Sequence, residues 1–156
     1  MSAGIPVIEV RRAVAGDLPF IVECQRSMAM ETEGLRLSRN TVTRGVRAVL
    51  DEPSRGFYLM AESGSGPVGQ LLVTHEWSDW RAGDFWWIQS VYVLPSWRRK
   101  GVLRTLFEHL RTESAGRDDV VGLRLYASPR NRTALAAYER LGMRSGRYLV
   151  LDMEKR

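Results

Sequence analysis

The sequence predicts an α/β domain, a mixed sheet with helices packed on it. Three observations carry this. Segments of period two and segments of period 3.6 alternate along the chain. Turn residues fall between these segments. A length of 156 residues at 44% hydrophobic content suits one domain, residues 1–156, around one core.

The expected order is β-α-α-β-β-β-α-β-α-β. Ile8 to Arg12 alternates apolar and polar, as an opening strand should. Asp17 is positioned to N-cap a helix with Pro19 in its first turn and Leu18, Ile21, Val22 and Met28 on one face. Glu31 to Arg39 reads as a polar connection. Asn40 to Leu50 reads as a second helix, with Val42, Val46, Val49 and Leu50 inward and Pro53 beyond its end. Phe57–Glu62 and Val68–Glu76 are strands around Ser63-Gly64-Ser65-Gly66-Pro67, a strong turn signal. Phe85–Val93 is a further long strand. From Gly101 the period changes: Leu103, Leu106, Phe107 and Leu110 fall at i, i+3, i+4 and i+7. Val120–Ala127 is a strand, Asn131–Leu141 a helix closed by Gly142, and Tyr148–Met153 a last strand.

Bulk properties narrow the classes. No stretch is apolar and long enough to span a bilayer. The opening Met1-Ser2-Ala3-Gly4-Ile5 lacks the basic-then-apolar layout of a secretory signal. One cysteine, Cys24, cannot close an internal disulfide, which makes a reducing cytoplasm the default expectation. Its helical spacing between Ile21 and Met28 reads as a buried structural thiol. His75, His109 and Cys24 lack metal-ligand spacing, so no metal is expected. The net charge of +5 is carried by 21 Arg and 2 Lys. Arg98, Arg99, Lys100 and Arg104 form one basic group; Arg130, Arg132, Arg140 and Arg144 form another. Either can face an anion or simply be solvated.

The most informative segment runs from Val91 to Arg104. It reads as a strand, a turn carrying Arg98, Arg99 and Lys100, a Gly, and the first turn of a helix. A helix start offers unpaired N–H groups and the positive end of a dipole, which together suit a phosphorylated ligand. Downstream, Asn131 and Tyr138 lie seven residues apart, about two helical turns, so they share a face with the small Ala134 between them.

With these residues in view, the chain resembles the GCN5-related N-acetyltransferase (GNAT) superfamily along nearly its whole length. The element order is that family's. Arg98-Arg99-Lys100-Gly101 matches the first four positions of the acyl-CoA signature Q/R-x-x-G-x-G/A, and Asn131 followed by Tyr138 matches the later motif. Leu103 departs from the signature, standing where Gly or Ala is usual. As part of the apolar stripe its side chain can turn inward while its amide still faces phosphate.

The resemblance implies the GNAT acyl-CoA N-acyltransferase fold: a mostly antiparallel mixed sheet, helices on both faces, and two central strands splayed near Val91–Val93. It implies acetyl-CoA as acyl donor, with pantetheine against Val91, Tyr92 and Val93. Pyrophosphate would lie on Arg98, Arg99, Lys100, Gly101, Val102, Leu103 and Arg104. Asn131 and Ala134 would flank the coenzyme, and Tyr138 would protonate the departing thiolate. Transfer would be direct, in a ternary complex, with no enzyme nucleophile. The family's usual bases are missing: the histone-type carboxylate position holds Ile88 and the N-terminal-acetylation position holds Tyr126. A water relay or Glu33 is the candidate base.

For the acceptor, Trp77, Trp80, Trp86 and Trp87 crowd one hairpin among Asp79, Arg81 and Asp84, and Glu31-Thr32-Glu33-Gly34 lies between the first two helices. Aromatic faces and carboxylates suit a cationic amine. The acceptor candidates are Glu31, Glu33, Trp77, Trp80 and Gln89; several Trp rings also serve as core. The expected acceptor is a small-molecule amine, with a protein or peptide amine as the alternative. A non-catalytic acyl-CoA-binding regulatory domain is a rival that retention of Tyr138 opposes. Nucleic-acid binding is a weaker rival, because base-stacking aromatics are remote in sequence from Arg98–Arg104. No membrane partner is expected, and a homodimer is in keeping with the family.

Overall fold

The structure, a computed structural model, describes residues 6–155. Met1–Ile5, on which the secretory-signal reading rests, lies outside them. The chain forms two compact units, Met1–Tyr126 and Ala127–Arg156.

The first unit is a five-stranded sheet in the order β1 (Glu9–Arg12), β2 (Phe57–Ser63), β3 (Gly66–Ser78), β4 (Gly83–Val93), β5 (Val120–Arg124). The first three pairings are antiparallel and β4–β5 is parallel. Hairpins can join antiparallel neighbours, whereas the parallel pair needs a crossover, and α3 (Val102–Ala115) supplies it.

Helices cover both faces. On one, Ile21 and Val22 of α1 (Leu18–Glu33) and Val46 of α2 (Arg39–Asp51) pack with Tyr58 and Met60 of β2. Because alternate residues of a strand face opposite ways, Leu59 and Ala61 are buried toward α3. That helix buries Val102, Leu106, Phe107 and Leu110. Burying each such side chain stabilises by about 1.5–3 kcal/mol. Cys24 is buried, and desolvation pushes its thiol up to about 12, as suits a structural rather than reactive sulfur.

Local chemistry explains most boundaries. Ser38 caps α2, its hydroxyl accepting from the Thr41 amide. Gly34 ends α1 in the left-handed conformation (φ +66°), its amide bonding the Met30 carbonyl while Leu35 reaches back to Ala29.

Several expectations change. The connection expected at Glu31–Arg39 is shorter, because α1 continues to Glu33 until Gly34 stops it. Asp17 is not a conventional N-cap. Its carboxylate closes a 3-10 turn by accepting from the Val14 amide at 2.7 Å, and it pairs with both guanidinium nitrogens of Arg11 at 2.7 and 2.9 Å. Those contacts, Arg11 first, hold it below the usual carboxylate range. Leu103 is half-buried, and the inward position is taken by Val102. β5 ends at Arg124, short of Ala127. The segment Tyr148–Met153 forms no strand in the single chain. A strand exists only by pairing, and alternation alone supplies no partner.

The second unit contains α4 (Arg132–Arg140). Asn131 caps it, its Oδ1 accepting from the Ala134 amide at 3.2 Å. Gly142 (φ +95°) follows the end, and the Met143 amide returns to the Tyr138 carbonyl.

One glycine before β2 gives a sharp stability test. Gly56 has φ +144°, and a Cβ there would lie 2.1 Å from the Val73 carbonyl oxygen. Gly56→Ala is expected to lose at least about 3 kcal/mol, read as a lowered urea midpoint with an unchanged slope.

Candidate active site

The site is built where β4 leaves its parallel partner. β4 pairs with β5 only from Asp84 to Trp87, opposite Val120 to Arg124. Ile88 through Val93 continue without a β5 neighbour, while their other edge stays paired to β3 up to Gly69–Val93. The open edge therefore offers main-chain N–H and C=O groups to an extended ligand, in the manner of strand addition. This is the splay implied for Val91–Val93.

A bulge sits at the point of parting. Val73 pairs with Ile88 and Leu72 with Ser90, which leaves Gln89 unmatched. The extra residue switches the face to which β4 sends its buried side chains. Trp86, edge-on to Phe57 at 5.0 Å, lies on the α3 side. Ser90 and Tyr92 turn instead to α1: the Ser90 hydroxyl accepts from Gln25 at 3.0 Å, and the Tyr92 hydroxyl donates to Glu31 at 2.7 Å.

The loop after β4 is shaped for an anion. The Leu94 amide bonds the Val68 carbonyl, and Pro95–Trp97 makes a 3-10 turn. Arg99 (φ +62°) and Gly101 (φ +84°) are both left-handed. For Gly101 the glycine answers a backbone need and not a lack of space, since a Cβ there would meet nothing within 4 Å. Arg99 has a Cβ and adopts this conformation at a cost of order 1 kcal/mol, a kind of strain that gathers at ligand loops. The first helical bond of α3 runs from the Thr105 amide to the Gly101 carbonyl at 2.9 Å. The amides of Val102, Leu103 and Arg104 precede it and have no helical acceptor. They lie at the positive end of the dipole, with exposed Arg99, Lys100 and Arg104 around them.

Glu31 ties this loop to α1. One carboxylate oxygen accepts from Tyr92 and the other from Arg98, both at 2.7 Å, while Arg98 Nε also reaches the Val93 carbonyl at 3.0 Å. The Tyr92 hydrogen bond, then Arg98, draws the Glu31 carboxyl below its usual range. Burial first, and then Glu31, raises the Tyr92 phenol. Glu31, expected on the acceptor wall, is thus engaged in positioning the loop, and Arg98 is held by it.

The remaining candidates are spread along the unit. Gln89 is exposed; its amide donates to Thr74 at 2.9 Å and accepts from the Tyr126 hydroxyl at 3.4 Å. Glu33 is exposed at the last residue of α1. Trp77 and Trp80 are exposed at the far hairpin; Trp77 lies opposite Asp84, seven residues along β3 from Gln70, which pairs with Tyr92. At about 3.4 Å per residue that is roughly 24 Å of strand. The structure therefore does not gather Trp77 and Trp80 with Glu31. Trp86 is core, and Trp87 donates to Glu76 at 2.7 Å beside Tyr126. Ile88 is buried hydrocarbon.

In the second unit, Asn131, Ala134 and Tyr138 occur on α4 and its cap. Tyr138 is half-buried, and desolvation raises its phenol above the ordinary value. It therefore stays protonated through neutral pH, the state a proton donor needs.

Two features escaped sequence reasoning. One is a buried polar trio: Gln25 and Gln70 both approach the Ser90 hydroxyl, and the Gln70 Oε1 is buried without a hydrogen-bond partner. Its sequence signals were Gln70 inside the mostly apolar run 68–73 and Ser90 between Ile88 and Tyr92. The other is a cavity of about 490 Å³ at the opposite end of β4, lined by Phe57, His75, Asp84 and Trp86 among others. Among the described residues, no cluster of three or more His, Cys, Asp or Glu could hold a metal, and no helix is long and apolar enough to cross a membrane.

The tie makes a prediction. Glu31→Ala should speed amide hydrogen exchange in Arg98–Gly101 by about 5-fold, as fits a partly exposed ion pair worth about 1 kcal/mol, without changing exchange in β2.

The comparisons agree with this geometry. The model of the acetyltransferase (GNAT) family matches residues 25–143. A possible acetyltransferase from Clostridium difficile 630 is 39% identical, with 96% of this chain and 99% of that chain covered at a TM-score of 0.91. More distant structures share the fold alone. Aminoglycoside N-acetyltransferase AAC(6')-Iy in complex with CoA is 11% identical, with both chains covered at 100% and a TM-score of 0.78. The ribosomal-protein-alanine N-acetyltransferase of Brucella melitensis biovar Abortus 2308 is 14% identical, with 96% and 100% covered at 0.75. No curated protein matches. A family match over three quarters of the chain, on the elements that shape the open strand edge and the helix start, means that the chain belongs to the GNAT family and is an acetyl-CoA-dependent N-acetyltransferase.

Proposed function

We propose that the enzyme acetylates a small-molecule primary amine by direct attack within a ternary complex, with residues 1–156 acting as one cytoplasmic acetyltransferase domain. The observation that supports it most is the unpaired edge of β4 from Ile88 to Val93, leading directly into the left-handed loop and the free amides of α3. Pantetheine lies along Val91, Tyr92 and Val93. The amides of Arg99 to Arg104 hold the pyrophosphate, with Arg98 set by Glu31. Asn131 and Ala134 border the coenzyme.

The amine nitrogen attacks the thioester carbonyl carbon, and the amide of Val91 steadies the oxyanion. The C–S bond then breaks, Tyr138 gives its proton to the leaving thiolate, and the nitrogen loses a proton to the base. An amine with a pKa near 10.4 costs about 4.6 kcal/mol to deprotonate at pH 7, whereas an α-amine near 7.8 costs about 1 kcal/mol. No carboxylate stands at Ile88 or Tyr126. A water relay or exposed Glu33 takes the proton. The same absence of peptide-type bases favours a small acceptor over a protein terminus. Glu33, Gln89, Trp77 and Trp80 are the acceptor candidates, with Glu31 acting through Arg98.

Tyr138→Phe should lower kcat by about 10²–10⁴-fold with little change in the KM for acetyl-CoA. Because burial raises this phenol, the wild-type rate should show no loss from its ionisation through neutral pH, and any such loss should come at higher pH than for a free phenol. An unchanged kcat would remove Tyr138 from the mechanism. Transfer of labelled acetyl to a panel of polyamines, aminoglycosides, amino acids and peptides identifies the acceptor class. Acetylation confined to peptides would overturn the small-molecule reading.

A further inference from the structure

We infer that Trp87 and Tyr126 hold the body of the acceptor, and that this body is a flat aromatic ring: the substrate is an arylalkylamine, a primary amine joined to a ring by a short arm. This rests on the acetyl transfer proposed above and names the substrate class of that same site.

The two rings stand on the face of the sheet that carries α1. Leu72 packs with α1 and α2, and alternation puts Thr74 and Glu76 of β3 on the same face beyond it. Their register partners on β4 are Trp87 and Phe85, which lie opposite Arg124 and Gly122 of β5. All of these residues, and Tyr126, belong to the first unit. Trp87 is the last residue of β4 paired to β5, so it marks the point where the strands part. It precedes Val91, whose amide steadies the oxyanion in the proposed reaction, by four residues, or about 14 Å of strand. The breadth of a ring, a short aliphatic arm and the thioester itself together cover such a span. Trp77, opposite Asp84, is seven residues from Val91, roughly 24 Å, which they do not cover.

The indole is held in place before any ligand arrives. Its Nε1 donates to Glu76 Oε2 at 2.7 Å, and the same oxygen accepts from Arg124 at 2.7 Å. Arg124 lies 3.5 Å over the Phe85 ring. Tyr126 stands beside the indole, with ring centroids 5.6 Å apart and planes inclined at 57°, and its hydroxyl reaches Gln89 at 3.4 Å. Two inclined rings in contact form an aromatic corner. Trp87 is half-buried and Tyr126 60% exposed, so ring surface remains to be covered. Rings already fixed lose little freedom when a third packs on them.

Charge selects the body of the ligand. Glu76 is matched by Arg124, and Arg81 adds a further cation 5.3 Å from the Phe85 ring. The other hairpin carboxylates are engaged elsewhere: Asp79 accepts from the Trp80 amide, and Asp84 lies 3.9 Å from His75. The corner thus has no surplus negative charge for the several ammonium groups of a polyamine or an amino sugar. A neutral ring needs none.

The test reads binding, which separates it from the reaction. 2-Phenylethylamine is titrated calorimetrically into the CoA-saturated full chain, with spermidine for comparison. 2-Phenylethylamine is expected to bind more tightly than spermidine. Trp87→Ala and Tyr126→Ala should each weaken it by about 5–10-fold, as fits the loss of one ring contact, with CoA affinity unchanged. Tyr126, being exposed, supplies the second variant should Trp87→Ala fail to fold. Glu76 acts by positioning Trp87: Glu76→Ala should weaken binding about 3-fold, and Glu76→Gln should restore it, because an amide oxygen still accepts from Nε1. Absent binding of 2-phenylethylamine, tighter binding of spermidine, or a loss in Trp80→Ala with none in the Trp87 and Tyr126 variants would each overturn the inference. Failure to label any amine of the panel would instead sink the proposed reaction, with the binding result still deciding what the corner holds.

Discussion

The proposed function of this chain rests on one interrupted ladder. β4 and β5 run together for four residues of β4 and then part. A backbone edge left unpaired inside a protein is costly, so something must meet it. The bulge at Gln89 coincides with the parting, and it turns Ser90 and Tyr92 toward α1. The strand thereby anchors itself to one layer of helix while its main chain stays available. An extended, amide-rich arm such as pantetheine suits such an edge, and a diphosphate suits the helix start that follows.

The second constraint is how the loop is held. Arg99 and Gly101 in the left-handed region, followed by α3, aim successive amides outward. The Leu94 amide ties the start of the loop to Val68, and buried Val102 anchors its end. Glu31 adds a side-chain tie from the last turn of α1, gripping Tyr92 with one oxygen and Arg98 with the other. A carboxylate beside the proposed diphosphate site would ordinarily repel such a ligand. Here its charge is shared between a phenol and a guanidinium, which leaves Arg99, Lys100 and Arg104 to set the sign of the local field.

Much of this was legible beforehand. The stripe of α3 and the turn at Arg98-Arg99-Lys100-Gly101 were readable, because a helix start and a left-handed glycine are local matters. The Asn131 cap was legible for the same reason. Glu31 was noticed as an acceptor-side residue, but its hydrogen bonds to Tyr92 and Arg98 were not foreseen, since these partners are 61 and 67 residues away in sequence. Leu103 and Val102 exchanged places in the core because periodicity fixes a stripe only to within a residue. Trp77 and Trp80 looked like one cluster with Trp86 and Trp87, but the hairpin puts the first two outside and buries Trp86. Clustering along a chain is a poor guide in a strand, where neighbours point to opposite faces.

By itself, the sequence determined the order of the elements as far as α4, the apolar face of α2, most of that of α3, the glycine-marked turns and the residues of the two family motifs, all of which follow from interactions spanning a few residues. Only the tertiary structure decided where β4 and β5 separate, that Gln89 is the bulged residue, and that Glu31 clamps Arg98. It also decided that Tyr148–Met153, for all its alternation, forms no strand within a single chain. Pairing between strands and ion pairs between distant elements depend on which backbone edges meet in space, and no local pattern encodes that.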